Sequence, residues 1–335
     1  MNNLNSLILE GKLLEPTIIE NEGEKVLRFF IETERCYMNK DNERLHRVVD
    51  ILSDTTSVEN MVNPSREQSL PSLSSLKKIV QLTKSVVFPG YFDMAPVGEG
   101  MRKFSIGVAI DNLYCELKTQ ISSGLEFDPN ISASKAQQMA PGLAMDFIEQ
   151  IPEIKRLLYT DVNAMFDNDP AVVSHGEIIL CYPVLQAMSN YRIAHCLLKM
   201  GVPIIPRIIS EMAHSRTGID IHPGAQIGEY FSIDHGTGVV IGETCIIGNH
   251  VNLYQGVTLG AKNFTLDENG HPMNLPRHPI IEDHVTIYSN ASVLGRITIG
   301  HDSIIGGNVW ITHDVPPHSK ISQGRLNDAP SQKNV

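Results

Sequence analysis

Histidine is concentrated in one part of this chain. Of thirteen histidines in 335 residues, ten lie between residues 214 and 318: His214, His222, His235, His250, His271, His278, His284, His301, His313 and His318. Imidazole titrates nearest neutral pH, so such a concentration points to proton transfer or metal ligation. Carboxylates and a guanidinium stand among them: Asp220 ahead of His222, Asp234 beside His235, Glu243 in Gly242-Glu243-Thr244, and Arg277 beside His278. Asp169 sits far upstream, in Asn168-Asp169-Pro170-Ala171. An imidazole near a carboxylate can take the proton of an attacking hydroxyl, while the carboxylate fixes the tautomer and steadies the cation that forms. Arg277 offers a planar fork for a substrate carboxylate, and the aspartates offer acceptors for an ammonium. Each residue also has a plainer reading. Asp220 can simply form a turn before His222-Pro223, Asp169 can cap a helix N-terminus ahead of Pro170, and Arg277 can be a solvated loop cation.

The element that must position these groups is a six-residue repeat. An aliphatic residue or cysteine returns at Ile221, Ile227, Ile233, Val239, Cys245, Val251 and Val257. A second frame runs Ile281, Ile287, Val293, Ile299, Ile305, Ile311, and a third Val285, Ala291, Ile297, Ser303, Val309, Val315, Ile321. Neither the 3.6 period of a helix nor the 2.0 period of an open strand yields a strict six. Hexads predict a parallel β-helix, whose short strands each point one small apolar residue inward. The hexads vanish once, between Gly260 and Ile280, and a loop that long in a coiled solenoid is either functional or disordered.

Upstream, the period is helical. Stripes at Leu73–Val87, Ile106–Ile121, Met139–Ile151, Ile154–Val162 and Leu185–Leu198 predict five helices, the first N-capped by Ser72. A sixth starts near Pro203 or Pro206 and ends before Gly218. Residues 1 to about 53 look foreign to the rest, with short strands expected at Ser6–Gly11, Val26–Thr33 and Arg47–Ile51. The formal charge of −11 argues against nucleic acid as the main partner. Neither a signal peptide nor an apolar run long enough to span a bilayer is visible, and five cysteines without a C-x-x-C pair read as reduced thiols, so a cytoplasmic location is expected.

A helical cap, a hexapeptide solenoid and an extruded loop together resemble the serine O-acetyltransferases of cysteine biosynthesis. The resemblance rests on Asn168-Asp169-Pro170-Ala171, Asp220-Ile-His-Pro-Gly, Asp234-His235-Gly-Thr-Gly, Gly242-Glu243-Thr and Arg277-His278-Pro279, in that order, and spans roughly residues 70 to 321. With the patterns above it gives an α+β chain: a β-rich extension (1–53) and a linker (54–68) outside the resemblance, an α-helical domain (69–215), a left-handed β-helix (216–321, with loop 261–279), and a polar tail (322–335) expected to be flexible. It implies acetyl transfer from acetyl-CoA to the hydroxyl of L-serine, with His235 as general base, Asp220 as its orienting partner and His278 bonding the hydroxyl or oxyanion. Arg277, Asp169, Asp234 and, as an orienter, Glu243 would hold the substrate. Acetyl-CoA would lie in a groove between neighbouring solenoids near Gly260, Ala261, Ala291 and Gly307, with Lys320 at its phosphates. The first 53 residues separately resemble the opening strands of a single-stranded DNA-binding OB domain.

The resemblance further implies a homotrimer or a dimer of trimers, and L-cysteine as feedback inhibitor. Members that dock into O-acetylserine sulfhydrylase tend to end in isoleucine, whereas this chain ends in Val335, which argues against that complex. The alternatives are a hexapeptide acetyltransferase acting on a sugar hydroxyl and a γ-class carbonic anhydrase. The latter needs three histidines converging on zinc. No third histidine accompanies His278 and His284 at that class's spacing, so no metal is expected.

Overall fold

Each hexad delivers one two- or three-residue strand, and successive strands turn onto successive faces of a three-sided prism. In chain order these are β5 (Asp220–Ile221), β6 (Gln226–Ile227), β7 (Ser232–Asp234), β8 (Val240–Ile241), β9 (Ile246–Ile247), β10 (Asn252–Tyr254) and β11 (Thr258–Gly260). After the loop come β12 (Ile280–Ile281), β13 (Thr286–Ile287), β14 (Ser292–Leu294), β15 (Thr298–Ile299), β16 (Ile304–Ile305), β17 (Trp310–Ile311) and β18 (Lys320–Ile321). The first face stacks β7, β10, β13, β16 and β18; the second β5, β8, β11, β14 and β17; the third β6, β9, β12 and β15. All these pairings are parallel. This is the left-handed β-helix that the repeats predict. We call the edge between first and second faces edge A, between second and third edge B, and between third and first edge C.

The computed structural model describes residues 69–92, 99–263 and 265–323, with 12–13, 17–21, 24–28, 31–32, 48 and 51 of the N-terminal stretch. The chain divides into two compact units, Met1–Ser65 and Arg66–Val335. In the first, β1 (Lys12–Leu13) pairs antiparallel with β4 (Ile31–Glu32), and β2 (Thr17–Asn21) forms a hairpin with β3 (Glu24–Arg28). The strand expected at Ser6–Gly11 lies outside the described residues. Of the one expected at Arg47–Ile51, the two described residues, Val48 and Ile51, are helical. Three positions apart, they share one face of a helix but opposite faces of a strand. The linker 54–68 and the tail beyond Gln323 also lie outside the described residues.

The apolar frames do fill the prism, but their phase corrects the reading above. Ile221 pairs with Ile241, twenty positions on, whereas Ile241 pairs with Leu259, eighteen on. The extra two residues fall in edge A, between Ile233 and Ile241. Thus Ile221, Ile227 and Ile233 point inward from strands, while Val239, Cys245, Val251 and Val257 point inward from edges, like Val285 and Ala291 later. Both sets are buried, so the slip of two leaves a spacing of six intact and hides itself in the sequence.

The helices of the second unit are α1 (Leu73–Val87), α2 (Arg102–Leu125), α3 (Ala133–Asn168), α4 (His175–Cys181), α5 (Pro183–Lys199) and α6 (Ile205–Thr217). The Ser72 hydroxyl caps α1 by accepting from Ser75 N at 3.3 Å. The stripes read as third and fourth helices are one 36-residue helix, α3, with Pro141 and Pro152 inside it. Phe147, Ile151, Ile154, Leu158, Val162 and Met165 are spaced by three or four without a break and are all buried. No described helix is long and apolar enough to cross a membrane.

A buried ion pair fastens α3 and α5 to the first coil. Arg192 meets Asp161 twice, Nη2 to Oδ1 at 3.0 Å and Nε to Oδ2 at 3.2 Å. The same guanidinium donates to the carbonyls of Ile227 at 2.7 Å and Gly228 at 2.6 Å. Asp161 also accepts from Phe231 N. Burial opposes the Arg192 charge, yet the carboxylate against it holds the guanidinium above its usual range. Beside it the buried Tyr191 hydroxyl donates to Ala225 O at 2.7 Å and accepts from Ile227 N.

Candidate active site

The residues singled out above gather at two neighbouring edges, not one. At edge A, β7 ends in Asp234 and the chain turns through His235, whose φ of 57° lies in the left-handed region. The two surplus residues of this coil push the turn outward, and the His235 side chain is 73% exposed. Its Nδ1 stands 3.8 Å from Asp234 Oδ1. The expected contact with Asp220 is not made: among the described residues, no hydrogen bond or ion pair joins Asp220 to His235. Asp220 belongs to β5 on the second face of the preceding coil, and its carboxylate clusters with Glu211 and His214 of α6.

Asp169 reaches the same edge from the helical side. It is the C-cap of α3, not the N-cap of the next helix. Its Oδ1 accepts from Ala171 N at 2.8 Å, and its Oδ2 accepts from the Tyr182 hydroxyl at 2.5 Å. These bonds, the tyrosine's first, hold its carboxyl below the usual range, helped by His235; the Tyr182 hydroxyl is pushed up to about 12 by the same contact. Asp169 is thus a fixed anion among Tyr182, Asp234 and His235. Tyr254, paired in register with Asp234, stacks on Tyr288 at 4.8 Å. Neither Tyr182 nor this pair carries a signal in the sequence, because the fold alone brings them beside Asp169 and Asp234. Asn168 donates to Ser232 Oγ at 3.0 Å and so ties this end of α3 to β7.

At edge B the loop returns to the prism as Arg277-His278-Pro279 and meets Gly242-Glu243-Thr244 of the coil below. Arg277 Nη2 pairs with Glu243 Oε2 at 2.6 Å. Thr244 organises the rest: its Oγ1 accepts from Arg277 N at 2.9 Å and from His278 N at 3.1 Å. Thr244 N donates to His278 Nδ1 at 3.1 Å. A backbone N–H can only donate, so Nδ1 is an acceptor and the ring of a neutral His278 carries its proton on Nε2. Burial first, then Arg277, pulls this imidazole down to about 4. His278 is therefore a fixed neutral N–H donor at neutral pH. Arg296, which sequence reasoning missed, clamps the segment from outside by donating to Thr244 O at 2.7 Å and His278 O at 2.9 Å.

Gly242 permits this packing. A Cβ there would come within 2.0 Å of the His278 ring, so Gly242→Ala must expel the imidazole that Thr244 holds. Losing one such donor costs about 10²–10³ in kcat. A kcat reduced by about that factor, with unchanged far-ultraviolet circular dichroism, is expected; full turnover would remove His278 from the chemistry.

The five residues named for the acyl donor do not converge within one chain. Gly260 and Ala261 lie at the root of the loop on edge B. Ala291 is fully buried in the prism interior, being one of the edge residues that point inward. Gly307 sits on edge A, where a Cβ would come 2.9 Å from Ser289 O, so coil stacking accounts for it. Lys320 lies on the first face. What edge B does hold is a groove of about 260 Å³ under the loop, lined by Lys262, Arg277, Arg296, Leu275, Pro276 and Leu294 among others. The loop above it is folded by Asp267, whose Oδ1 accepts from Asn269 N and His271 N.

This chain is similar to known proteins along most of its length. Residues 278–313 match the family described as bacterial transferase hexapeptide (six repeats). It is 47% identical to a plasmid-encoded serine acetyltransferase of Synechococcus elongatus over 264 residues, covering 77% of this chain and 83% of that protein. It is 49% identical to the serine acetyltransferase of Bacillus subtilis over 166 residues, 50% of this chain and 73% of that one. Among solved structures it resembles serine acetyltransferase 1 of Entamoeba histolytica in complex with L-cysteine, with a TM-score of 0.64 and 35% identity over 83% of this chain and 96% of that one. Isoform 3 from the same organism, in complex with cysteine, gives 0.62 and 32% over 88% and 96%. With the hexad prism, the Asp234-His235 turn and the Arg277-His278 clamp in place, the chain belongs to the serine acetyltransferase family.

Proposed function

We propose that this enzyme transfers the acetyl group of acetyl-CoA to the hydroxyl of L-serine, releasing CoA and O-acetylserine. His235 takes the hydroxyl proton as the serine oxygen attacks the thioester carbonyl, and the C–S bond then breaks, the proton passing to the CoA sulfur. Asp234 stands beside the imidazole, and Asp220, which does not touch it here, closes on it as substrate binds; both stabilise its cation, since catalytic hydrogen bonds of this kind tighten on substrate binding. Arg277 receives the serine carboxylate, Asp169 and Asp234 its ammonium, and the Nε2–H of His278 faces the developing oxyanion. Glu243 holds Arg277 in place. The groove under the loop receives the acyl donor, with Lys262 and Arg296 nearer its phosphates than Lys320. Edges A and B lie one face apart on a single prism, so the complete site forms where edge A of one copy meets edge B of the next, as a homotrimer or a pair of trimers provides.

The single observation carrying this reading is the division of labour between the two imidazoles. His235 is exposed among carboxylates, while His278 is packed neutral beside a guanidinium. A sugar hydroxyl would have no use for Arg277 and Asp169 together. The test is CoA-thiol release from acetyl-CoA with L-serine, L-homoserine or a galactoside as acceptor. Release with serine alone is expected; release with the galactoside alone would reject the reading.

The two Entamoeba histolytica relatives were solved with cysteine bound. L-cysteine presents the same carboxylate and ammonium as serine, so it should act here as a competitive inhibitor. The apparent KM for serine should rise linearly with cysteine at constant kcat. Initial rates at low serine that ignore millimolar cysteine would rule out a shared subsite.

A further inference from the structure

Edge C carries neither the proposed base nor the loop, and it is the uniform edge of the prism. At the same point of five successive coils the backbone enters the left-handed region, at Tyr230, His250, His284, Asp302 and His318, with φ between 56° and 58°. Equivalent side chains therefore stack into a column. Tyr230 lies on His250 at 4.4 Å and His250 on His284 at 4.7 Å. The column ends at the last two coils in a group of different chemistry. His301 Nδ1 is 2.7 Å from Asp302 Oδ2, and His318 Nδ1 is 3.7 Å from the same oxygen. The two rings meet edge-on with centroids 4.9 Å apart. One nitrogen or oxygen from each of the three residues lies within 4.8 Å of the others.

We propose that His301, Asp302 and His318 form a binding site for a divalent transition-metal ion of the zinc type, clipping the last coil of the solenoid to the one beneath it. Two imidazoles and one carboxylate are a donor set that suits zinc, with a fourth position left to water. Tetrahedral donors at zinc bond lengths lie about 3.3–3.4 Å from one another, so His301 Nδ1 and Asp302 Oδ2, now 2.7 Å apart, must open and His318 Nδ1, 3.7 Å from that oxygen, must close. The side chains are exposed, so rotamer changes can make both adjustments without disturbing the core. His301 and Asp302 belong to the penultimate coil, and His318 precedes β18, which among the described residues pairs with β16 alone. A terminal coil has a neighbour on one side only and is the part of a repeat stack most in need of a cap. A metal that binds the folded chain and bridges these coils raises the stability of that end by mass action.

The other group of this kind, Glu211, His214 and Asp220, is a poorer candidate, because Glu211 already pairs with Arg207 at 2.6 Å. The test uses the full-length chain, free of tag histidines and stripped of metal. Zn²⁺ is titrated in competition with a chromophoric chelator, and Co²⁺ is followed by its visible absorption. One Zn²⁺ per chain is expected, with a Co²⁺ spectrum of tetrahedral intensity. The double variant His301→Ala/His318→Ala should bind more than about 100-fold more weakly, beyond what loss of an outer partner does, while His214→Ala should bind like the parent. Zn²⁺ should raise the melting temperature of the parent and not of the double variant. Asp302→Asn keeps the left-handed turn and serves as the second variant if the double variant folds poorly. Parent-like Zn²⁺ affinity in these variants, or no binding by the parent, would overturn the site. Either outcome leaves the acetyl-transfer reading untouched, because that assay needs neither metal nor these residues.

Discussion

Replacing His235 with asparagine should lower kcat for serine-dependent CoA release by about 10²–10⁴-fold, the range in which a positioned base acts, while the KM for serine changes little. Asparagine is the right probe for a structural reason. His235 turns with φ 57°, and asparagine is among the few side chains that enter that region readily. The ring is also largely exposed, so nothing in the core depends on it. The variant therefore removes a proton acceptor and leaves the turn as it was. Loss confined to kcat assigns the residue to the transition state rather than to substrate binding. Unchanged turnover would mean that another group takes the proton, and the role given to edge A would be withdrawn.

The second large effect concerns how the helical cap is held. Arg192→Met should destabilise the folded chain by about 3–5 kcal/mol, the usual consequence of stripping one partner from a buried ion pair. The fall is steep because four groups lose the guanidinium together: both Asp161 oxygens and the carbonyls of Ile227 and Gly228. Adding Asp161→Leu should not restore stability, since those carbonyls and the Phe231 amide stay unpaired. Urea denaturation followed by circular dichroism reads this directly. A double variant as stable as the parent would show that packing alone, and not this network, docks α3 and α5 on the first coil.

Much of the architecture was legible because hexads leave few alternatives. Every residue of the first and second frames is buried, from Ile221 to Val257 and from Ile281 to Ile311. What was not legible is phase. Strand positions and edge positions are both apolar, so a slip of two at His235 passes unnoticed in a count of sixes. The same blindness explains Ala291, a small residue that reads equally well as a wall for a ligand or as filling for the interior. The long helix α3 reads in the sequence as two stripes, Met139–Ile151 and Ile154–Val162, with Pro152 falling between them. Its apolar stripe in fact runs straight through.

The site divides along the same line. The motifs at edge B are contiguous in sequence, so Arg277, His278, Glu243 and Gly242 meet as nearest neighbours across one coil. At edge A the partners come from three elements: Asp169 from the end of α3, Tyr182 from the start of α5, and Tyr254 from the next coil. No spacing rule links them, which is why Tyr182 escaped notice. The tautomer of His278 was likewise invisible, since it depends on a single backbone amide, that of Thr244, pointing at Nδ1.

The uneven coil lengths have a bearing on how such a protein can diversify. Pairing advances by eighteen residues in the regular coils, by twenty where edge A protrudes and by thirty-four where the loop leaves edge B, from Thr258 to Ser292. Each surplus is even and each is ejected outward, so the alternation of inward and outward side chains downstream is preserved. Insertions at these two borders are thus silent for the interior yet audible to whatever molecule docks there. Acceptor preference could be rewritten by exchanging a turn, with no compensating change among the aliphatic residues that hold the stack upright.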